Sequence, residues 1–114
     1  MSSRQATQAY RRARSTMSLR EQEADVFRRV IGALRAAEDG DVIRVARALA
    51  DTRRLWMSVE SALRDPGNSL PTELRAGLVS VARTIQRELD IDPPDIAFLI
   101  EMNEHVAAGL SARG

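Results

Sequence analysis

Cysteine is absent from this 114-residue chain, and so is lysine. Without thiols there is no disulfide framework, no thiolate zinc site and no cysteine nucleophile. Aromatic side chains make up only 4% of the residues, so aliphatic and alanine packing has to supply the core. Nothing approaches the roughly 18 consecutive apolar residues that a membrane span needs. No apolar stretch follows the start either, which argues against a secretory signal and makes cytoplasmic residence the expectation. Glycines at 32, 40, 67, 77 and 109 are too scattered to form a phosphate-cradling loop. The single histidine, His105, falls on the polar side of a helical segment beside Glu101 and Glu104. It lacks the orienting partner and pocket that a general base requires. No histidine–carboxylate cluster or calcium-loop spacing occurs. The expectation is therefore a protein without catalytic residues, metal or cofactor.

Charge is plentiful but unevenly placed. All 17 basic residues are arginines, set against 16 acids. Arginine keeps its charge and its planar donor fork at any ordinary pH, which suits carboxylate or phosphate contacts; a GC-rich genome would produce the same bias. Residues 1–20 carry Arg4, Arg11, Arg12, Arg14 and Arg20 and no acid, whereas the remainder holds 12 arginines and 16 acids. A basic arm thus precedes a mildly acidic body. Arginine-rich, acid-free starts also occur in mitochondrial transit peptides, but this one runs into a helix start without a processing break.

The apolar pattern has helical periodicity throughout, and no segment reads as a strand. Ala6, Tyr10, Ala13 and Met17 fall on one side of a helix with the arginines broadly opposite, a weakly amphipathic arm stable only when docked. Ser18-Leu19-Arg20-Glu21 is a capping box. Beyond it, Leu19, Ala24, Val26, Phe27, Val30, Ile31, Leu34 and Ala37 span an arc of about 160° at the helical repeat. So broad an arc needs two neighbours, making this the central helix, and it ends near Glu38-Asp39-Gly40. Asp41 can cap the next helix, whose stripe is Val42, Val45, Leu49, Trp56, Val59 and Leu63, continued through Thr52. Asp65-Pro66-Gly67-Asn68 breaks it, since proline lacks a donor and glycine and asparagine tolerate positive φ. Pro71 suits the first turn of a helix with the stripe Leu74, Leu78, Val81, Ile85 and Leu89. Asp92-Pro93-Pro94 is a second break and the start of the next helix. The last buries Ile96, Leu99, Ile100, Val106, Ala107 and Leu110, with Gly109-Leu110 fitting a left-handed cap. The expectation is an all-α fold: a bundle of four main helices over residues 18–114, preceded by a helical arm over residues 1–17.

Signs of partner binding are subtler. Phe98 and Met102 lie off the main stripe of the last helix, and Leu55 and Met57 flank the stripe containing Trp56. Such residues build either a second core contact or an exposed groove. Asn103 falls at the centre of an apolar stripe, where a buried amide either fixes helix register or meets a partner. The arm's arginines could contact phosphates, but Tyr10 is its sole stacking residue and no base-reading module follows.

Several short motifs recur in order along nearly the whole chain. They are Ala9-Tyr10, Arg20-Glu21-x-Glu23-Ala24, Arg53-Arg54-Leu55-Trp56, Asp65-Pro66-x-Asn68-x-Leu70-Pro71-x-Glu73-Leu74-Arg75-Ala76, Leu99-Ile100-Glu101-x-Asn103 and Gly109-Leu110. This ordered set resembles the FlaF family of flagellar biosynthesis proteins from alphaproteobacteria. The resemblance implies a small cytoplasmic, non-enzymatic factor that binds flagellin as a chaperone-like regulator, beside a second regulator, FlbT. It departs from the family pattern at Thr52 and Gly77, where asparagine is common, and at Glu104, where an Asn-Arg pair is usual; contacts through these positions are expected to differ.

The residues expected to face a partner are Tyr10, Arg54, Leu55, Trp56, Asn68, Leu70, Pro71, Arg75 and Asn103. Leu55, Trp56, the loop 68–71 and Arg75 would share one client-facing surface. The competing expectation is that Trp56 is core and that Pro71 only starts a helix. An alternative function is post-transcriptional regulation through contact of the basic arm with flagellin mRNA. Salt separates the two, because an RNA contact made by several arginines weakens steeply as salt is added.

Overall fold

A computed structural model describes residues 19–113, with side chains described from 24 to 109. The arm over residues 1–17, Tyr10 within it, and the side-chain contacts of the capping box at 18–21 lie outside the described residues. Four helices follow in order: α1 (Leu19–Ala37), α2 (Val42–Arg64), α3 (Thr72–Leu89) and α4 (Ile96–Arg113). The described residues hold no strand, and none of their helices is long and apolar enough to cross a membrane.

In space the neighbours run α3, α2, α1, α4, with α1 packed closely against both α2 and α4, and α3 meeting α4 only sparsely. The wide apolar arc of α1 is the cause. Ala24, Phe27, Val30, Ile31, Leu34 and Ala37 are all buried, enough surface for two partners. Val26, expected in the same arc, is 40% exposed, because it sits at the arc's edge over a shallow groove that α2 does not close.

The breaks between helices are set by side chains. Asp41 is the N-cap of α2, its carboxylate accepting from the Arg44 N–H at 2.9 Å, which satisfies an orphan donor of the first turn. α2 then overshoots α3. The Arg53 guanidinium donates to the Leu89 carbonyl at 3.2 Å and to Asp90 at 3.1 Å, so it closes the C-terminal end of α3. Residues of α2 before Arg53 therefore extend past the end of α3. This is why Val42, nominated for the buried stripe, is 83% exposed. Thr52 is fully buried and its hydroxyl donates to the Ala48 carbonyl at 2.7 Å.

The turn after α2 forms without any residue at positive φ, contrary to the role expected of Gly67 and Asn68. Side-chain acceptors shape it instead: Asp65 Oδ1 accepts from the Gly67 N–H and Asn68 Oδ1 from the Leu70 N–H, both at 2.9 Å. These are Asx turns, which bend the chain with ordinary backbone angles. Pro71 lies at the N-cap of α3, one position before the first helical residue, and its carbonyl accepts from the Arg75 N–H at 2.9 Å.

The segment after α3 contains a cis Asp92–Pro93 bond. The helix that follows is started by Asp95 and not by the proline pair. Asp95 Oδ1 accepts from the Phe98 N–H at 3.1 Å, and the Asp95 N–H donates to Glu88 of α3 at 2.9 Å. The left-handed cap expected at Gly109 does not form, since α4 continues to Arg113 and the described glycines all avoid positive φ. A glycine near a helix end caps it only if the backbone turns there. Here helical hydrogen bonding carries on through it.

Candidate functional site

Two of the nominated partner-facing residues lie deep inside. Trp56 and Asn103 are each 0% exposed. The indole Nε1 donates to Asn103 Oδ1 at 2.9 Å, joining α2 to α4, and Asn103 Nδ2 donates to the Leu99 carbonyl at 2.7 Å. Phe27 of α1 meets the indole edge-on, with centroids 5.6 Å apart and an interplanar angle of 73°, a favourable aromatic geometry. A buried amide and a buried indole N–H thus satisfy each other at the centre of three helices. They position the bundle and present nothing to a partner. Trp56 is core, and Asn103 is a buried amide with its hydrogen bonds made inside the chain.

The loop residues also turn inward. Asn68 Nδ2 donates to the Ala62 carbonyl at 2.7 Å, and the Asn68 carbonyl accepts from the Arg75 guanidinium at 2.6 Å. One asparagine therefore ties the end of α2 to the first turn of α3. Arg75 is half-buried, and its Nε has no hydrogen-bond partner. Leu70 is half-buried and Pro71 exposed beside them. Arg54 and Leu55 lie elsewhere. Arg54 pairs with Asp51, and both Arg54 and Leu55 line the shallow α1–α2 groove with Val26 and Val30. Leu55 is nine helical residues before Arg64, roughly 14 Å along the axis, so it and the loop do not share one surface. Of the off-stripe residues, Met57 is 58% exposed, whereas Leu55 and Met102 pack against the core.

Sequence reasoning did not nominate the apolar cleft between α3 and α4. Where α3 and α4 diverge they leave a cleft of about 480 Å³. One wall is Leu74, Leu78 and Val81, the other Met102 and Val106, with Gly77 and Gly109 among the lining residues. The five large side chains are half-buried, and Val81, Met102 and Val106 pack against the core while lining the cleft. Glu73 and His105 supply its only polar side chains. Sites for polar small molecules bring several hydrogen-bonding groups together, and this cleft does not. Its aliphatic walls match the apolar stripe of a helix, the requirement of helix-in-groove recognition. A signal was available in the sequence: Leu74, Leu78 and Val81 continue the stripe of α3 while Gly77 interrupts the helix face beside them.

Gly77 costs stability. An ideal Cβ built there meets nothing within 4 Å, so no close approach demands a glycine. Gly77→Ala should therefore stabilise the protein by about 0.5–1 kcal/mol, read as a higher urea midpoint at unchanged slope.

Arginines on the outer faces are largely engaged with carboxylates. Arg29 pairs with Asp25 at 3.0 Å, Arg35 with Glu104 at 2.5 Å across α1 and α4, Arg53 with Asp90 at 3.1 Å and Arg64 with Glu60 at 3.3 Å. The departure at Glu104 thus supplies an interhelical ion pair. Thr52, a second departure, makes its single hydrogen bond within α2.

Residues 6–110 match the family model described as flagellar protein FlaF. No curated protein and no solved structure matches the chain.

Proposed function

Since the chain belongs to the FlaF family of flagellar proteins, we propose that it is a flagellin-binding factor supporting flagellum assembly, and that an apolar helical segment of flagellin docks in the α3–α4 cleft. The observation that carries this reading is the cleft itself: half-buried Leu74, Leu78, Val81, Met102 and Val106 around a concavity with few polar groups. A chaperone-like factor has to cover apolar helical surface on its client, and such walls do so by exchanging water for aliphatic contact. RNA contact is a poorer fit to the described body, where Arg29, Arg35, Arg53, Arg54 and Arg64 already face carboxylates.

The test is titration of purified flagellin against the full-length protein and three variants, each checked by melting temperature. Leu78→Asp and Val106→Asp place a charge on either wall and should weaken binding by at least about tenfold, as expected at the centre of an interface. Val42→Asp, on the exposed start of α2, should bind like the parent. Folded wall variants that bind flagellin normally would remove the cleft from consideration. Failure of the parent protein to bind flagellin at all would remove the client.

A further inference from the structure

An apolar face is left open at one end of the described body. Val42 is 83% exposed, Ile43 64% and Ile91, just beyond α3, 54%. Arg53, at the middle of α2, bonds to the Leu89 carbonyl and to Asp90, so α3 stops there and the first turns of α2 run on past it. At the helical repeat, Val42, Ile43, Ala46, Arg47 and Ala50 share an arc of about 140° on α2, and all five are exposed. Arg53 falls inside the same arc, which is therefore the side that α3 would cover if it were longer. Ile91 follows Asp90, the partner of Arg53, and so flanks this face.

Charge of both signs surrounds it without internal partners. Arg29, Arg35, Arg54 and Arg64 face carboxylates elsewhere on the body. At this end, by contrast, the exposed side chains of Arg44, Arg47 and Arg87 make no ion pair or hydrogen bond among the described residues, and neither do those of Glu38, Asp39 and Asp92. A partner charged with one sign, such as a nucleic acid, would satisfy one set and be repelled by the other. A second copy related by a twofold axis satisfies both, because the acids of each copy meet the arginines of the other. Spacing supports this match. Asp39 and Arg47 lie equally far before and after Ile43 in the sequence, so an antiparallel pair crossing at Ile43 sets each Arg47 opposite the other copy's Asp39. The same crossing lays Val42 over the small Ala46 of the second copy, which lets the helices approach closely.

We infer that the protein forms a twofold homodimer through the start of α2, with Val42 and Ile43 at its centre and Arg47 paired with Asp39 of the second copy. This contact stands independently of the flagellin reading. The cleft walls, from Leu74 to Val81 and from Met102 to Gly109, begin at the opposite end of α3 from Leu89 and Ile91. A dimer built on α2 therefore leaves the cleft of each copy open, and carries two of them.

The test is sedimentation velocity of the full-length protein at rising concentration, roughly 10–500 µM, the range suited to a small interface. The parent should shift from monomer to dimer across it. Ile43→Asp and Val42→Asp should each raise the dimer dissociation constant by at least about tenfold, whereas Leu78→Asp in the cleft should leave it unchanged. All these positions are checked for folding by melting temperature. A charge exchange identifies the pairing. Arg47→Glu alone and Asp39→Arg alone should each dimerise more weakly than the parent, since like charges then face one another at both ends of the contact. An equimolar mixture of the two should dimerise again, because both pairs are restored in the mixed dimer. A parent that stays monomeric throughout, a dimer as strong in Ile43→Asp as in the parent, a dimer lost in Leu78→Asp, or a mixture no stronger than its components would each overturn the inference. None of these results depends on whether flagellin binds the cleft.

Discussion

Truncating Trp56 to alanine is expected to remove about 3–5 kcal/mol of stability, the range for deleting a large buried aromatic side chain. Three losses coincide at this residue. The fully buried indole fills the centre of the bundle, its edge-on contact with Phe27 disappears, and the buried Asn103 Oδ1 loses its donor. Domains of this size hold only about 5–15 kcal/mol in total, so the variant should melt well below the parent and populate unfolded chains near body temperature. Urea unfolding followed by far-UV circular dichroism checks this, since Trp56 is the only tryptophan and its fluorescence goes with it. A loss of flagellin binding in this variant would report unfolding. A Trp56→Ala protein as stable as the parent would contradict the packing around the indole.

The helices were legible in sequence because each carries its own punctuation. Asp41 caps α2 as its position suggests, and the breaks at Asp65-Pro66 and Asp92-Pro93 fall between helices. The broad arc of α1 correctly announced two neighbours, since arc width is a local property of spacing. Legibility fails where the partner of a stripe matters. Leu74, Leu78 and Val81 read as core because periodicity records that a face is apolar and is silent on what covers it. Only the divergence of α3 from α4 turns them into a cleft wall. Val42 fails for the same reason in reverse, lying on a stripe that outruns its neighbour. Among the nominated residues, Trp56, Asn68 and Asn103 do form specific contacts, but with other parts of this chain. A short motif with a polar residue in an apolar setting looks alike in sequence whether its hydrogen-bond partner is internal or external.

The Trp56–Asn103 bond supplies the second large effect, and a double-mutant cycle isolates it. Asn103→Leu keeps much of the side-chain volume but leaves the indole N–H buried without an acceptor, at about 1–3 kcal/mol. Trp56→Phe leaves the amide oxygen without a donor, and adds a cavity where the larger ring was. With both changes made, neither orphan remains. The double variant should therefore be less destabilised than the sum of the singles by about 1–3 kcal/mol, measured as urea midpoints with a common slope. Strict additivity would mean that the 2.9 Å contact contributes nothing beyond packing. The cycle also bears on register. Among the described residues, Asn103 is the one buried polar side chain of α4, and its bond joins one turn of α4 to Trp56 of α2. Polar pairs of this kind select one alignment among several apolar ones that pack almost as well. Removing both partners should thus keep helix content while allowing α4 to sample neighbouring registers, seen as exchange broadening of amide signals along α4. Because Met102 and Val106 flank Asn103 and line the cleft, a slipped α4 would also displace one cleft wall. On the proposed docking of flagellin in the cleft, its affinity should then fall in the double variant, although both substituted side chains are buried away from the cleft.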